Sequence, residues 1–309
     1  MKGFSGKVAA ITGAASGMGR SLAVELARRG CEVALADVND VGLAGTAAAC
    51  GKHGVRTSMR RLDVADRDAV FAWADFVRAE HGKVNLVFNN AGVSLAASAE
   101  TARIADLEWI VGINFWGVVH GTQAFLPHLR ASGDGHVINT SSLFGIFAQP
   151  GMSGYNATKF AVRGFTESLR QELDMMKCGV SATCVHPGGI RTNIAQASRV
   201  SKNMVGFMVA SEQQGRDTFE KFFITTADDA ARTILAGVRR NKRRVLIGRD
   251  AKAGDWMARI LPSAYQALVV LATRREAARA RRDAARGAPA PAPLHATYNN
   301  AGNQGGEQS

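Results

Sequence analysis

The stretch from Lys7 to Asp37 restricts the fold more than any other part of the chain. An apolar run, Lys7–Thr12, leads into Thr12-Gly13-Ala14-Ala15-Ser16-Gly17-Met18-Gly19. A helix-like segment, Gly17–Arg29, follows and is closed by Gly30, and a second apolar run occupies Glu32–Asp37. Glycines at such a junction let backbone leave a buried strand through a tight turn and begin a helix at once. Strand, crossover helix and strand in close succession predict a right-handed βαβ unit with parallel strands.

The alternation continues along the chain. A helix runs to about His53, Val55–Leu62 and Val84–Asn89 read as strands, and Asp66–His81 between them has a helical pattern. Gly135–Ser141, Ser181–His186 and the short Val245–Ile247 complete the strands, with long helices over Ile113–Ala131 and Tyr155–Lys177. The predicted class is α/β: a doubly wound, Rossmann-like parallel sheet in a single domain over residues 1–250, with a C-terminal helical extension. The connection 188–226 is too long for an ordinary loop and is expected to act as a lid or substrate loop. Residues 251–286 predict a basic helical extension broken or offset by Pro262. Residues 287–309, rich in Pro, Asn and Gly, predict a disordered tail.

A hydrophobic content of 46% is ample for a core of this size. The apolar stretch Ala264–Ala272 is far too short to span a bilayer, and Met1-Lys2-Gly3-Phe4 runs into a strand with no room for a signal peptide. Cys31, Cys50, Cys178 and Cys184 share no metal-ligand spacing, so reduced thiols, no metal site and a cytoplasmic location are expected. The net charge of +12 is concentrated between Arg239 and Arg286 and describes a tail more than the body. Aromatic residues are not interleaved with those arginines, which argues against specific nucleic-acid binding. Trp256, Ile260, Leu261, Tyr265, Leu268 and Leu271 form an apolar stripe. A solvated helix and tail with no specific partner is the first reading; docking of the stripe on the body, on a second subunit or, as weak peripheral contact through 255–286, on an anionic membrane surface is the second.

The glycine turn has a mechanism in this context. Gly13 permits the tight turn, Gly17 and Gly19 let backbone approach a phosphate, and the helix N-terminus favours the anion. Asp37 ends the second strand, where a carboxylate accepts both adenosine ribose hydroxyls and repels a 2′-phosphate, favouring NAD over NADP. Asn39 or Asp40 better fits the N-cap of the next helix. Asp63 and Val64, at the end of the third strand, suit either adenine contacts or a strand-end cap. Asn89-Asn90-Ala91-Gly92 ends the fourth strand with small residues that let backbone pack beside a cofactor.

Tyr155 and Lys159 stand at i, i+4 on one helix face, so an ammonium can lie beside a phenol. A free tyrosine, with a pKa near ~10, is a poor base at neutral pH. A neighbouring cation and a positively charged nicotinamide favour the phenolate. Ser142 can hold a substrate oxygen against the Tyr155 hydroxyl. Asn114 is awkward in an otherwise apolar helix unless its side chain or a local kink binds water, from which protons can pass to Lys159.

These features together resemble the short-chain dehydrogenase/reductase superfamily over about residues 3–250. The glycine turn, Asn-Asn-Ala-Gly, a serine upstream of Tyr155-x-x-x-Lys159, and Pro187-Gly188-Gly189-Ile190-Arg191-Thr192 occur in the family's order. The resemblance implies a catalytic set of Asn114, Ser142, Tyr155 and Lys159, with family spacing selecting Ser142 over Ser141. It further implies that Gly13, Ser16, Gly17, Met18, Gly19, Asp37, Asp63, Val64, Asn90, Ala91, Gly92, Pro187, Gly188, Ile190 and Thr192 surround the cofactor beside Tyr155 and Lys159. Ile190 backbone and Thr192 then lie near the carboxamide. Within the family the chain looks like bacterial enzymes described as alcohol, acetoin or retinol-type dehydrogenases, and a homodimer or homotetramer is expected.

The expected activity is hydride exchange between NAD(H) and a lipophilic secondary alcohol or ketone, with Tyr155 as general acid/base. The apolar candidates for the pocket are Leu95, Leu143, Phe144, Phe147 and Met152, together with Ile194, Met204, Val205, Phe207, Met208, Phe219, Phe222 and Phe223 of the long loop. Arg191, Arg199 and Lys202 leave room for an anionic group. The alternatives are an NADP-linked reductase of 3-oxoacyl or steroid/retinoid-type ketones, and a non-catalytic NAD-sensing protein on the same fold.

Overall fold

A computed structural model describes residues 3–194, 196–201 and 223–285. Its centre is a seven-stranded parallel sheet in the order β3-β2-β1-β4-β6-β7-β11. The strands are β1 Val8–Thr12, β2 Glu32–Asp37, β3 Thr57–Arg61, β4 Leu86–Asn89, β6 Gly135–Thr140, β7 Val180–Pro187 and β11 Arg244–Ile247. Two short parallel pairs lie outside it: β5 Leu95–Ala96 with β9 Arg199–Val200, and β8 Ile190–Arg191 with β10 Thr225–Thr226.

Because the sheet is covered on both faces, its inner strands are buried along their length instead of alternating, β1, β4 and β6 at every residue. In β1, Ala9 and Ile11 point into one layer and Val8 and Ala10 into the other. The first layer contains α1 (Gly17–Arg28), α2 (Asp40–Gly51) and α7 (Ala227–Arg239). The second contains α3 (Arg67–His81), α5 (Gly117–Ala131) and α6 (Ser153–Met176). Trp73 and Phe125, both fully buried, meet edge to face at 5.1 Å where α3 packs on α5.

Local chemistry sets the helix ends. Asn39 caps α2 by accepting from Gly42 N–H at 3.0 Å, and Asp66 caps α3 by accepting from Ala69 N–H at 3.0 Å. Each cap is worth about 1 kcal/mol. Gly82 closes α3 at φ 75, the left-handed conformation a β-carbon resists. Cys31, Cys50, Cys178 and Cys184 are free thiols, and burial pushes Cys31 and Cys184 up to about 12.

The expected elements are present to within about two residues, with three exceptions. The helix expected over Ile113–Ala131 begins earlier, as α4 (Ile104–Val111), and passes into α5 through a π-helical turn, Gly112–Trp116. Helix α7 was not foreseen, although Thr226 caps it through Asp229 N–H and Ala230, Ala231, Ile234, Leu235 and Val238 form its buried face. The short pairs β5–β9 and β8–β10 could not be read from two-residue strands. Pro262 separates α8 (Arg249–Ile260) from α9 (Tyr265–Ala285), as expected. The expectations for Lys202, Met204, Val205, Phe207, Met208, Phe219, Phe222 and the tail 287–309 lie outside the described residues. No described helix is long and apolar enough to cross a membrane.

Candidate active site

The site lies at the carboxyl ends of the parallel strands. β1 pairs with both β2 and β4, so the strand order reverses there and the loops after β1 and β4 diverge into a crevice. Gly13–Gly19 forms one wall of the crevice. A β-carbon at Gly19 would overlap the Gly13 carbonyl, and one on Gly17, at φ +50, would come within 2.9 Å of Thr192 Cγ2. Bare backbone is therefore a packing requirement of the turn. Asn90 braces it: the side-chain amide donates to Thr12 O at 3.1 Å, while Asn90 and Ala91 N–H both donate to Thr12 Oγ1. Thr12 was not among the expected site residues. It became visible only once the fold set the β1 and β4 ends side by side.

A cavity of about 290 Å³ follows this turn and is lined by Gly13, Ser16, Gly17, Met18, Asp37, Asp63, Val64, Asn90, Ala91, Gly92 and Thr192. Asp37 is fixed at its edge, accepting from Ala15 N–H at 2.9 Å and from Asn39 N–H at 3.0 Å. A carboxylate offers about four lone-pair sites, so acceptor capacity remains for a ligand. Asp63 also accepts from Ala65 N–H at 2.9 Å, so it caps its own strand end while lining the cavity. The buried Asn90 Oδ1 has no partner among the described residues. Bare turn backbone, a strand-end carboxylate and an unused acceptor fit an extended nucleotide, and no Lys or Arg is among the cavity's described lining residues.

A second cavity, of about 310 Å³, opens beside the first and shares Met18, Asn90, Gly92, Ser94, Thr192 and Ile194 with it. Ser142, Tyr155 and Lys159 line it together with Pro187, Gly188, Gly189 and Ile190. Helix α6 presents Tyr155 and Lys159, both buried, and Ser142 is delivered by the end of β6. Ser142 Oγ accepts from Phe144 N–H at 3.1 Å and caps a short 3₁₀ turn, which fixes the hydroxyl toward the cavity. Ser141 faces elsewhere, donating to Lys159 O at 2.7 Å.

The electrostatics differ from the sequence expectation. Lys159 Nζ lies 5.6 Å from the Tyr155 ring centroid and donates to Thr140 O at 3.1 Å. Burial pushes the Tyr155 phenol up, opposed by a hydrogen bond with Ser142. The same burial drives Lys159 down from 10.5 to about 8. Desolvation is the largest influence on both groups in the chain alone.

Asn114 is fully buried inside the π-helical turn, where Gly117 N–H reaches Gly112 O five residues back. Its side chain is committed to the Val93 backbone, accepting from N–H at 2.8 Å and donating to O at 3.0 Å. It adjoins Lys159 across Gly92, where a β-carbon would lie 3.3 Å from Asn114 Oδ1 and 3.4 Å from Lys159 Nζ.

Leu143, Phe144, Phe147, Ile194 and Phe223 line the second cavity as expected. Leu95 and Met152 do not. They pack with Ala97, Ile110 and the Tyr155 ring in a small core behind the site, because β5 is drawn inward by its pairing with β9. Arg199 is also turned to structure, with Asp106 at 3.0 Å and the Trp109 ring at 3.7 Å. Arg191 donates to Phe223 O at 3.0 Å. Four lining residues, Ser94, Thr140, Gln149 and Asp250, were not anticipated.

Comparison with known proteins agrees with this geometry. The family model for short chain dehydrogenases matches residues 7–203. SadH of Mycobacterium tuberculosis, assigned by name to the oxidoreductases, is 47% identical over 274 residues, covering 87% of this chain and 96% of its own length. Estradiol 17-beta-dehydrogenase 11 of Macaca fascicularis is 33% identical over 192 residues, 62% of this chain and 64% of that protein. Among solved structures, a short chain dehydrogenase/reductase from Burkholderia phymatum in complex with NAD has a TM-score of 0.78 and 30% identity, covering 84% of this chain and 95% of that one. The chain therefore belongs to the short-chain dehydrogenase family, as an NAD(P)-dependent oxidoreductase.

Proposed function

We propose that this enzyme interconverts a lipophilic secondary alcohol and its ketone, with NAD(H) as the preferred cofactor and Tyr155 as the proton-exchanging group. One observation carries the reading. Ser142, Tyr155 and Lys159 line a cavity that is otherwise mainly apolar and adjoins the glycine-turn crevice. Leu143, Phe144, Phe147 and Phe223 favour a hydrocarbon body over a sugar or phosphate. The estradiol dehydrogenase among the relatives, a protein named for a lipophilic secondary alcohol, supports the same class.

A nicotinamide bound in this crevice would supply or accept the hydride, and its oxidised form would add a positive charge. Gly13, Gly17, Gly19, Asp37, Asp63, Val64, Asn90, Ala91, Gly92, Ile190 and Thr192 would hold the dinucleotide. Ser142 holds the substrate oxygen against the Tyr155 hydroxyl. The neutral phenol then donates its proton to a ketone oxygen, or takes one from a carbinol once cationic surroundings lower its pKa. Lys159 lies beside the ring, and a pKa of about 8 lets it exchange protons near neutral pH. Asn114 supports this set through the Val93 backbone and the opened helical turn. Asp37, with no Lys or Arg lining the adenosine cavity among the described residues, supports NAD over NADP.

A cytoplasmic setting fits the free thiols. A homodimer or homotetramer remains our reading for the assembly. For α9 we favour a solvated helix rooted at Tyr265, whose hydroxyl accepts from Ala148 N–H at 3.2 Å. Exposed Trp256, Ile260, Leu268 and Leu271 beside the arginines make weak contact with anionic bilayers the second reading, to be separated by liposome flotation with and without residues 255–309.

A panel of aliphatic, aromatic, steroid and terpenoid alcohols, assayed for reduced-cofactor formation with NAD and with NADP, tests the proposal. Turnover is expected with bulky apolar secondary alcohols and NAD. Turnover confined to small polar or phosphorylated alcohols would refute the substrate class.

A further inference from the structure

Among the described residues that line the cavity holding Tyr155 and Lys159, one carries a carboxylate, Asp250. Asp250 lies in the first turn of α8, at the start of the C-terminal extension. Its Oδ2 accepts from Gly189 N–H at 2.6 Å, tying this helix to the turn that runs into Ile190 and Thr192. Its Oδ1 is buried and has no partner among the described residues. The other acid of α8, Asp255, is paired with Arg244 at 2.9 Å and Arg259 at 2.7 Å, whereas Asp250 has no ion pair among the described residues.

The surrounding backbone is shaped to admit this carboxylate. A β-carbon on Gly188 would overlap both Asp250 oxygens, and one on Gly248 would overlap Oδ1. Gly248 has a φ of 94, which independently favours glycine, but Gly188 is not among the positive-φ glycines. The missing side chain at Gly188 therefore makes room for Asp250. A buried acceptor with an unused lone pair opposes folding unless something compensates for it. The N-terminal amides of α8 supply part of that compensation.

We propose that Asp250 is a positioning residue for the Gly188–Gly189 turn whose unpaired charge makes the enzyme favour the oxidised, cationic nicotinamide over the neutral reduced one. The argument rests on the proposed placement of the nicotinamide in the cavity that Asp250, Lys159 and Gly189 share. Lys159 disfavours a cationic ring there, and Asp250 offsets it. A carboxylate that served the fold alone would affect both cofactor forms alike.

Calorimetric titration of the full chain with NAD and, separately, with NADH tests this. In Asp250→Asn the side-chain oxygen can still accept from Gly189 N–H, but the charge is gone. We expect NAD affinity to fall about fivefold or more, the order expected for one screened unit charge, while NADH affinity changes less than twofold. Asp250→Glu should restore much of the ratio. If the Asn chain is unstable, Asp250→Ser removes the same charge without added bulk and carries the same expectation. Equal weakening of both forms, or no change in either, would overturn the proposal. Failure of the wild-type chain to bind either form would instead sink the dinucleotide reading on which it stands.

Discussion

Lys159 is required by the proposed chemistry and is costly to the fold, which makes Lys159→Met an informative substitution. Its pKa falls from 10.5 to about 8 on burial in the cofactor-free chain. At about 1.4 kcal/mol per unit, keeping the ammonium charged at pH 7 costs roughly 3 kcal/mol relative to the unfolded chain. Methionine has a similar length and no charge, but it gives up the hydrogen bond to Thr140 O, worth about 1 kcal/mol. The variant should therefore be more stable than the wild type at pH 7 by about 2 kcal/mol. The pH dependence has a fixed sign. Between about 8 and 10.5 the unfolded chain binds more protons at this site than the folded one, so the lysine's cost fades and wild-type stability gains as pH rises. Urea unfolding of both chains at pH 7 and pH 10 should show the methionine advantage at the lower pH and its loss at the higher. Comparing the two chains cancels titration elsewhere. Turnover should be lost in the variant, a stability–activity trade-off. A variant less stable than wild type at pH 7, or a gap that ignores pH, would refute the reasoning.

Other substitutions test the cofactor crevice. Asp37→Ser removes the carboxylate that favours NAD; kcat/KM for NADP should rise relative to NAD by about tenfold or more, and an unchanged ratio would place cofactor choice elsewhere. Gly19→Ala puts a β-carbon onto the Gly13 carbonyl, so cofactor affinity by titration should drop by at least about tenfold, in line with a displaced phosphate turn; near-normal binding would contradict the packing argument. Because burial pushes the Tyr155 phenol up, alcohol oxidation should accelerate as pH rises through the alkaline range, since the reactive form is the deprotonated one; a rate that declines over that range would refute the assignment.

Much of the fold was legible because the strands are buried on both faces, leaving apolar runs such as Val84–Asn89 bounded by clear turns. Helix α7 could not be read because its buried face is partly alanine and its sequence follows directly on the connection 188–226, which reads as one long loop. Asn39 and Asp66 as caps were readable from adjacent residues alone. The Tyr155, Lys159 and Ser142 constellation was visible as spacing, but the direction of the phenol's shift was not, since burial is a property of the assembled site. Thr12 stood within the glycine-turn motif, but its hold on Asn90 N–H, like that of Asp250 on Gly189 N–H, joins groups distant in the chain, so no local pattern announces either contact. Leu95 and Met152 were indistinguishable from pocket residues until the fold packed them with Ala97, Ile110 and Tyr155.

The most direct test of the account is turnover of Tyr155→Phe, measured beside its affinity for NAD. The ring can keep its packing against Phe144, while the hydroxyl is lost with its exchangeable proton and its hydrogen bond with Ser142. We expect the rate to fall by about a hundredfold or more, the scale of a lost general acid/base, with NAD affinity within about twofold of wild type. A variant that binds NAD normally and retains most of its turnover would show that the proton travels by another group.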